Sequence, residues 1–279
     1  MEPRSRSFYI LATFFAVFLL FLYGPVITIG ILSFQGPQGG LTFPMNGVSL
    51  HWFYDLFQEQ AVGDIWGSFR RSFALGLMVM SVTVVVSVMG GMAFRKRFRG
   101  SGLLFYIIVA SLIIPSILIS LGVGLIFNIL DWEVHWTTSA FGAQLTWTLP
   151  FGLLIMFAVF NRFDKSFEEA ARDLGATPWQ TVRYVVLPII APMLLGVALF
   201  GFTLSYDEFA RSLLTSGSYN TLPLEIYGMT TNVTSPVLYA LGTLTTLFSL
   251  LIIGSFLSIV ALLRRNRSRH GSDAGKGLV

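Results

Sequence analysis

The chain has no cysteine. That excludes a disulfide framework, a thiol nucleophile and any cysteine-based metal site. Histidine is nearly as scarce. His51, His135 and His270 lie far apart in sequence, and metal sites need clustered donors, so each reads as an interfacial or solvated residue. Charge is sparse too: 11% of the 279 residues are Asp, Glu, Lys or Arg, against about 25% in soluble globular chains. With 54% hydrophobic residues, a water-soluble fold could not hide its apolar surface. A nucleotide motif is missing. GSDAGKG (residues 271–277) lacks the G-x-x-x-x-G-K-[ST] spacing and no strand precedes it. The net charge of +4 does not mark a nucleic-acid binder, because the basic residues flank apolar runs instead of lining one face. The composition describes an all-α integral membrane protein.

What is present is a set of long apolar runs. A spanning helix needs about 20 mostly apolar residues. Six runs qualify, at approximately 8–34, 70–94, 103–128, 138–160, 188–213 and 236–263. They predict six transmembrane helices in one domain over residues 1–265, followed by a basic, disordered tail at 266–279. The first run follows Arg4 and Arg6 but is longer than a signal-peptide core and lacks a clear small-residue cleavage site, so it reads as an uncleaved span. Lys and Arg set the orientation. Only Arg70, Arg71 and Arg211 of the eighteen fall on one side; the other fifteen fall on the side of the N-terminus, of RKRFRG (95–100), of the 161–187 segment and of the tail. The expectation is that both termini face the cytoplasm.

Several features within this frame carry open alternatives. SLHWFYDLFQ (49–58) places Leu50, Phe53, Tyr54 and Phe57 on one side of a helix that either lies on the outer membrane surface or packs on the bundle. The small residues Ser72, Ser81, Thr83, Ser87, Gly90 and Gly91 of the second run suit close helix packing. Pro115 interrupts the third run and predicts a kink, either static or gating. Asp207, Glu208 and Arg211 interrupt the end of the fifth run, which is expected to extend to 213. Ionisable residues at such depth usually face a bundle interior or a water-filled path; the alternative is an i,i+4 Asp207–Arg211 pair among the outer headgroups.

The longest polar interruption is 161–187. Ala170 and Ala171 favour helix, Glu168 and Arg172 stand at i,i+4, Gly175 can take the left-handed conformation that closes a helix, and Thr177-Pro178 reads as a cap and first-turn proline. The segment is predicted to be a helix, a bend and a second short helix, with Pro188 at the mouth of the next span.

The spacing Glu169-Ala170-Ala171, three residues, Gly175, nine residues, Val185, one residue, Leu187-Pro188 resembles the E-A-A-x3-G-x9-I-x-L-P signature of permease subunits of binding-protein-dependent ABC importers, with Val185 in place of the common Ile. Together with the six spans, the outer helix, LSYDEF and LPLEIY, the chain looks most like the second permease of spermidine/putrescine-type systems. The resemblance implies a type I importer permease in a bacterial inner membrane, moving a small polar solute by alternating access. It implies a homologous permease partner, two ATPase subunits that bind ATP and Mg, and a periplasmic or lipid-anchored solute-binding protein. The chain itself would be a non-catalytic subunit without a cofactor. Glu168, Glu169, Ala170, Ala171, Gly175, Ala176, Thr177 and Pro178 would form the ATPase coupling elbow. Tyr206, Asp207, Glu208 and Ser116 are the candidates for the substrate path, and Asp207, Glu208 and Tyr206 would suit a cationic polyamine. Ser116 stands where polyamine-type members often carry an acidic residue, so an amino-acid derivative, a phosphonate or iron are alternative cargoes. An ion-driven secondary transporter would show internal repeats and broken helices, and an intramembrane enzyme would need a catalytic cluster; neither pattern is visible in the sequence.

Overall fold

The computed structural model describes residues 5–58, 63–96, 98–232 and 235–269. In chain order the helices are α1 Arg6–Leu32, α2 His51–Asp55, α3 Ile65–Phe94, α4 Ser101–Ser111, α5 Ser116–Ile129, α6 Phe141–Asn161, α7 Ser166–Asp173, α8 Pro178–Thr181, α9 Leu187–Tyr206, α10 Leu222–Asn232 and α11 Val237–Arg269. Short π-helical turns, Trp136–Ala140 and Val182–Val186, lead directly into α6 and α9. Among the described residues, five helical runs are long and apolar enough to cross a membrane; α4 and α5 together make a sixth only if read as one span bent by 104°. The bend exceeds a simple proline kink. Leu112 closes α4 and Pro115 enters α5 in an extended conformation, so the chain breaks and restarts.

Three further boundaries differ from the sequence reading. The fifth span begins ten residues early, because the second helix of the elbow does not end before Pro188. Pro178–Tyr206 is a single helical run, and the wide π turn just before Pro188 lets the helix pass a residue that has no N–H and crowds the preceding carbonyl. The same span stops at Tyr206 instead of reaching 213. α11 runs to Arg269, into the expected tail, and residues 270–279 lie outside the described residues.

The chain divides into two compact units. One comprises residues 1–64 and 226–250, the other residues 65–225 and 251–279. In the first, α1 turns its apolar side chains outward along its length, as a lipid-facing span does. The loop after α1 is ordered by Gln35, a fully buried amide that accepts from the Asn46 N–H at 2.8 Å and donates to the Gly40 carbonyl at 3.1 Å. Phe34 packs on Phe53 of α2, and the Tyr239 hydroxyl donates to the Leu41 carbonyl at 2.8 Å.

The second unit is built on α3, α6 and α9. Small residues bring them together. A Cβ on Gly152 would stand 2.2 Å from the Ser87 hydroxyl, and one on Gly91 would stand 2.8 Å from the Phe160 ring, so both positions require the absence of a side chain. A cluster of Val88, Met156, Phe160, Phe163, Val186, Ile190 and Val197 fills the end of the bundle next to the elbow. Thr83 and Thr148 share a buried hydrogen bond of 3.0 Å across α3 and α6.

Candidate functional site

The elbow is built from backbone capping. Asp164 accepts from the Ser166 N–H at 2.9 Å at the head of α7, and this bond, reinforced by the Ser166 side chain, holds the Asp164 carboxyl below the usual carboxylate range. α7 ends in a double hydrogen-bonded closure: Gly175 N–H to Arg172 carbonyl at 2.8 Å and Ala176 N–H to Ala171 carbonyl at 3.0 Å, with Gly175 at φ +84°. These are the two bonds of a Schellman cap. Thr177 then opens α8 with a capping box: its hydroxyl accepts from the Gln180 N–H and the Gln180 side chain accepts from the Thr177 N–H at 2.8 Å, with Pro178 in the first turn. The bend is therefore fixed on both sides by satisfied backbone groups.

This geometry decides what the elbow presents. Glu169, Ala170, Gly175, Thr177 and Pro178 are exposed, and Ala171 and Ala176 are half-buried. Two large apolar side chains stand out among them: Leu174 is 90% exposed and Trp179 is 69% exposed. Glu168 differs from the rest. It turns inward, forms an ion pair with Arg95 just past α3, and is 3.8 Å from Arg172. RKRFRG thus includes a residue committed to a specific partner, which its reading as a topological anchor did not disclose.

The second candidate site lies at the far end of α9. Its four sequence candidates do not form one cluster. Tyr206 is buried core, stacked on Phe202 and edge-on to Phe69. Asp207 caps α9 and is exposed. Glu208 is buried and accepts from the Arg211 N–H at 2.8 Å, a local side-chain bond that competes with helix continuation and helps end the span. Ser116 accepts from the Arg211 guanidinium at 2.6 Å.

The organising residue is Arg211, for which the sequence leaves open a bundle interior or the outer headgroups. Arg211 is 1% exposed. Its guanidinium lies 3.6 Å from the Glu208 carboxylate, 3.3 Å from the Thr146 hydroxyl and 4.7 Å above the Trp147 ring. The i,i+4 pair with Asp207 does not form, because the helix that would place them on one face has already ended. Around Arg211, hydroxyls tie the irregular 207–221 segment to the bundle. Ser120 donates to the Arg211 carbonyl and accepts from Leu214 N–H, Gln144 donates to Ser212 at 2.8 Å and accepts from Ser205, and Ser139 donates to the Thr215 carbonyl at 2.7 Å. A cation inside an apolar run was the available signal for Arg211; nothing in the sequence pointed to Gln144 or Ser120.

Residues 83–269, more than half of the chain, match the family described as binding-protein-dependent transport system inner membrane component. The chain belongs to this family. It is a multi-pass permease subunit of the inner membrane. The permease is 29% identical over 252 residues to the spermidine/putrescine transport system permease protein PotC of Haemophilus influenzae, covering 88% of this chain and 94% of that one. It is 27% identical to the putrescine transport system permease protein PotI of Escherichia coli K12, covering 80% and 81%. Among solved structures it resembles a bacterial ABC transporter involved in the import of alginate, with a TM-score of 0.65 and 19% identity over 98% of this chain and 100% of the other. The MetNI methionine ABC transporter gives a TM-score of 0.55 and 20% identity, covering 71% and 94%. The sequence reading of an ABC importer permease of this type, and of its helical fold, is borne out by these likenesses.

Proposed function

We propose that this permease carries a small cationic solute of the polyamine class through the membrane by alternating access, paired with a homologous permease. The observation that carries the cation reading is the difference between two neighbouring carboxylates. Glu208 is neutralised by Arg211, whereas Asp207 is exposed at the end of α9 and forms no ion pair among the described residues. An uncommitted carboxylate at the end of a span suits an ammonium group. The names of the relatives, polyamine permeases, support the same class.

Energy would come from two ATPase subunits that bind ATP and Mg, and solute would arrive on a periplasmic or lipid-anchored binding protein. The elbow would face the cytoplasm, in keeping with the Lys and Arg distribution, and dock on an ATPase through Glu169, Ala170, Ala171 and the exposed Leu174 and Trp179. Exposed apolar side chains on an otherwise polar elbow favour a protein partner. A second reading, a solute of another class such as an amino-acid derivative, rests on Ser116, which stands where polyamine-type members often carry an acidic residue.

The test is uptake of labelled putrescine and spermidine by the assembled transporter with Asp207→Asn. The expected result is a KM raised about tenfold, the size of one charge-assisted contact, with basal ATP hydrolysis unchanged. Unaltered KM for both polyamines would reject the cation site. Uptake of a zwitterionic amino-acid derivative in their place would support the second reading.

A further inference from the structure

Arg95 joins three elements at one guanidinium. It stands one residue past the end of α3. Its guanidinium lies 5.2 Å from the centre of the Phe160 ring on α6 and 5.2 Å from the Phe163 ring in the link to α7. It also forms the ion pair with Glu168 in the first turn of α7. The site is prepared by packing. Gly91, one turn earlier on α3, lets Phe160 and Met156 approach closely, and both Phe160 and Phe163 are buried in the cluster beneath. The side chains of Arg95 and Glu168 are only 16% and 13% exposed, so water screens the pair less than it screens an ordinary surface contact. A guanidinium held between two rings also has few alternative rotamers, so it is preorganised to receive the carboxylate. By contrast, Glu169, Arg172 and Asp173, the other charged residues of α7, are exposed.

We propose that Arg95 is a positioning residue for energy coupling. It fixes Glu168 and hence the angle of α7, so that displacement of the elbow reaches α3 directly as well as α9 through α8. This inference rests on the reading of the elbow as the ATPase dock. It separates two adjacent glutamates by role: Glu169 faces the partner, and Glu168 faces the permease's own bundle.

The experiment uses the intact transporter purified with its ATPase and reconstituted in proteoliposomes. Nitroxide labels at positions 93 and 173 report the α3–α7 distance distribution, before and after trapping with ATP and vanadate. In the same preparation, putrescine uptake is measured per ATP hydrolysed. Arg95→Ala is expected to keep the ATPase bound and hydrolysing, to broaden the label distance, and to lower uptake per ATP about tenfold, within the usual range of coupling between sites. The exchange Arg95→Glu with Glu168→Arg should restore a narrow distribution. Lys96→Ala, which removes a neighbouring charge without touching Glu168, should behave as the parent. A parental distribution in Arg95→Ala, failure of the exchange to narrow it, or loss of the ATPase from the Arg95→Ala complex would each overturn the proposal. Failure of the docking reading is distinguishable: Glu169→Lys would then still copurify with the ATPase. Failure of the polyamine reading would abolish putrescine uptake in the parent while leaving the distance measurement intact.

Discussion

Replacing Arg211 by alanine isolates a buried ion pair at the end of a membrane span. Arg211 is 1% exposed and Glu208 is 8% exposed, so neither charge is well solvated once its partner is removed. Breaking such a pair from one side costs about 3–5 kcal/mol, mainly because the remaining charge is left buried. Glu208 keeps the Arg211 backbone N–H at 2.8 Å in the variant, which argues for the lower end, about 3 kcal/mol. Loss of the Ser116 hydroxyl contact at 2.6 Å and of the Trp147 ring contact adds about 1–2 kcal/mol. The expected loss is therefore about 4–5 kcal/mol. Removing both charges, with Arg211→Met and Glu208→Gln together, should cost about 1–2 kcal/mol, because no uncompensated charge remains. The double variant should thus be more stable than Arg211→Ala by about 2–4 kcal/mol. Reversible unfolding in mixed micelles, followed by tryptophan fluorescence, measures both. If the single and double variants unfold within about 0.5 kcal/mol of each other, the pair is not coupled and the electrostatic reasoning is wrong.

The remaining predictions concern backbone positions. Gly217 has φ +65°, and a Cβ there would stand 2.0 Å from the Val134 carbonyl oxygen, so Gly217→Ala meets both strain and a backbone clash. It should abolish the monodisperse peak in detergent size-exclusion, while Gly196→Ala, in helix α9 with open space around it, should be neutral or stabilise by about 0.5–1 kcal/mol. Gly175 presents the pure conformational case: φ is +84° and nothing lies within 4 Å of where a Cβ would stand, so Gly175→Ala should cost about 1–2 kcal/mol from backbone strain alone. Gly175→Asn should cost less, because asparagine tolerates the left-handed region. Solute uptake at equal membrane abundance should rank Gly, Asn, Ala; equal uptake for all three would show that the bend angle does not matter.

Local chemistry was legible in the sequence, and long-range pairing was not. The elbow could be read because each device depends on residues within one turn: Gly175 for the left-handed closure, Thr177 and Pro178 for the new start. Gln180 completes a T-x-x-Q box that the same spacing could have shown. Arg95–Glu168, in contrast, spans 73 residues, and positive charge near a membrane already has a sufficient explanation in topology. The helix end at Tyr206 was missed for a related reason. Apolar length predicts how far a span could continue, but here the Glu208 side chain and the hydroxyls of Ser120 and Thr215 take over backbone partners and stop it earlier. Pro188 misled in the opposite direction. A proline usually marks a boundary, yet the π turn at Val182–Val186 carries the helix across it.

That continuity bears on mechanism. Because Pro178–Tyr206 is one helical run, the capped start of α8 and the Asp207 end of α9 belong to the same rod. A run of 29 residues at about 1.5 Å per residue extends about 43 Å, enough to span the hydrocarbon layer with a turn projecting beyond it. Had α8 been a separate helix hinged at Pro188, rotation of the elbow could be absorbed locally. With the helix unbroken, tilting the elbow must tilt α9, and α9 is packed through Val197, Gly201 and Phe202 on α3 and α6. The buried links from Arg211 to Ser116 and Thr146 and from Gln144 to Ser212 then carry that tilt to the 207–221 segment and the start of α5. At the far end of these links lies the 104° break between α4 and α5, where Pro115 separates two helices and Ser116 touches Arg211. Rigid-body motion driven from the elbow would therefore reach that break through Arg211 and Ser116.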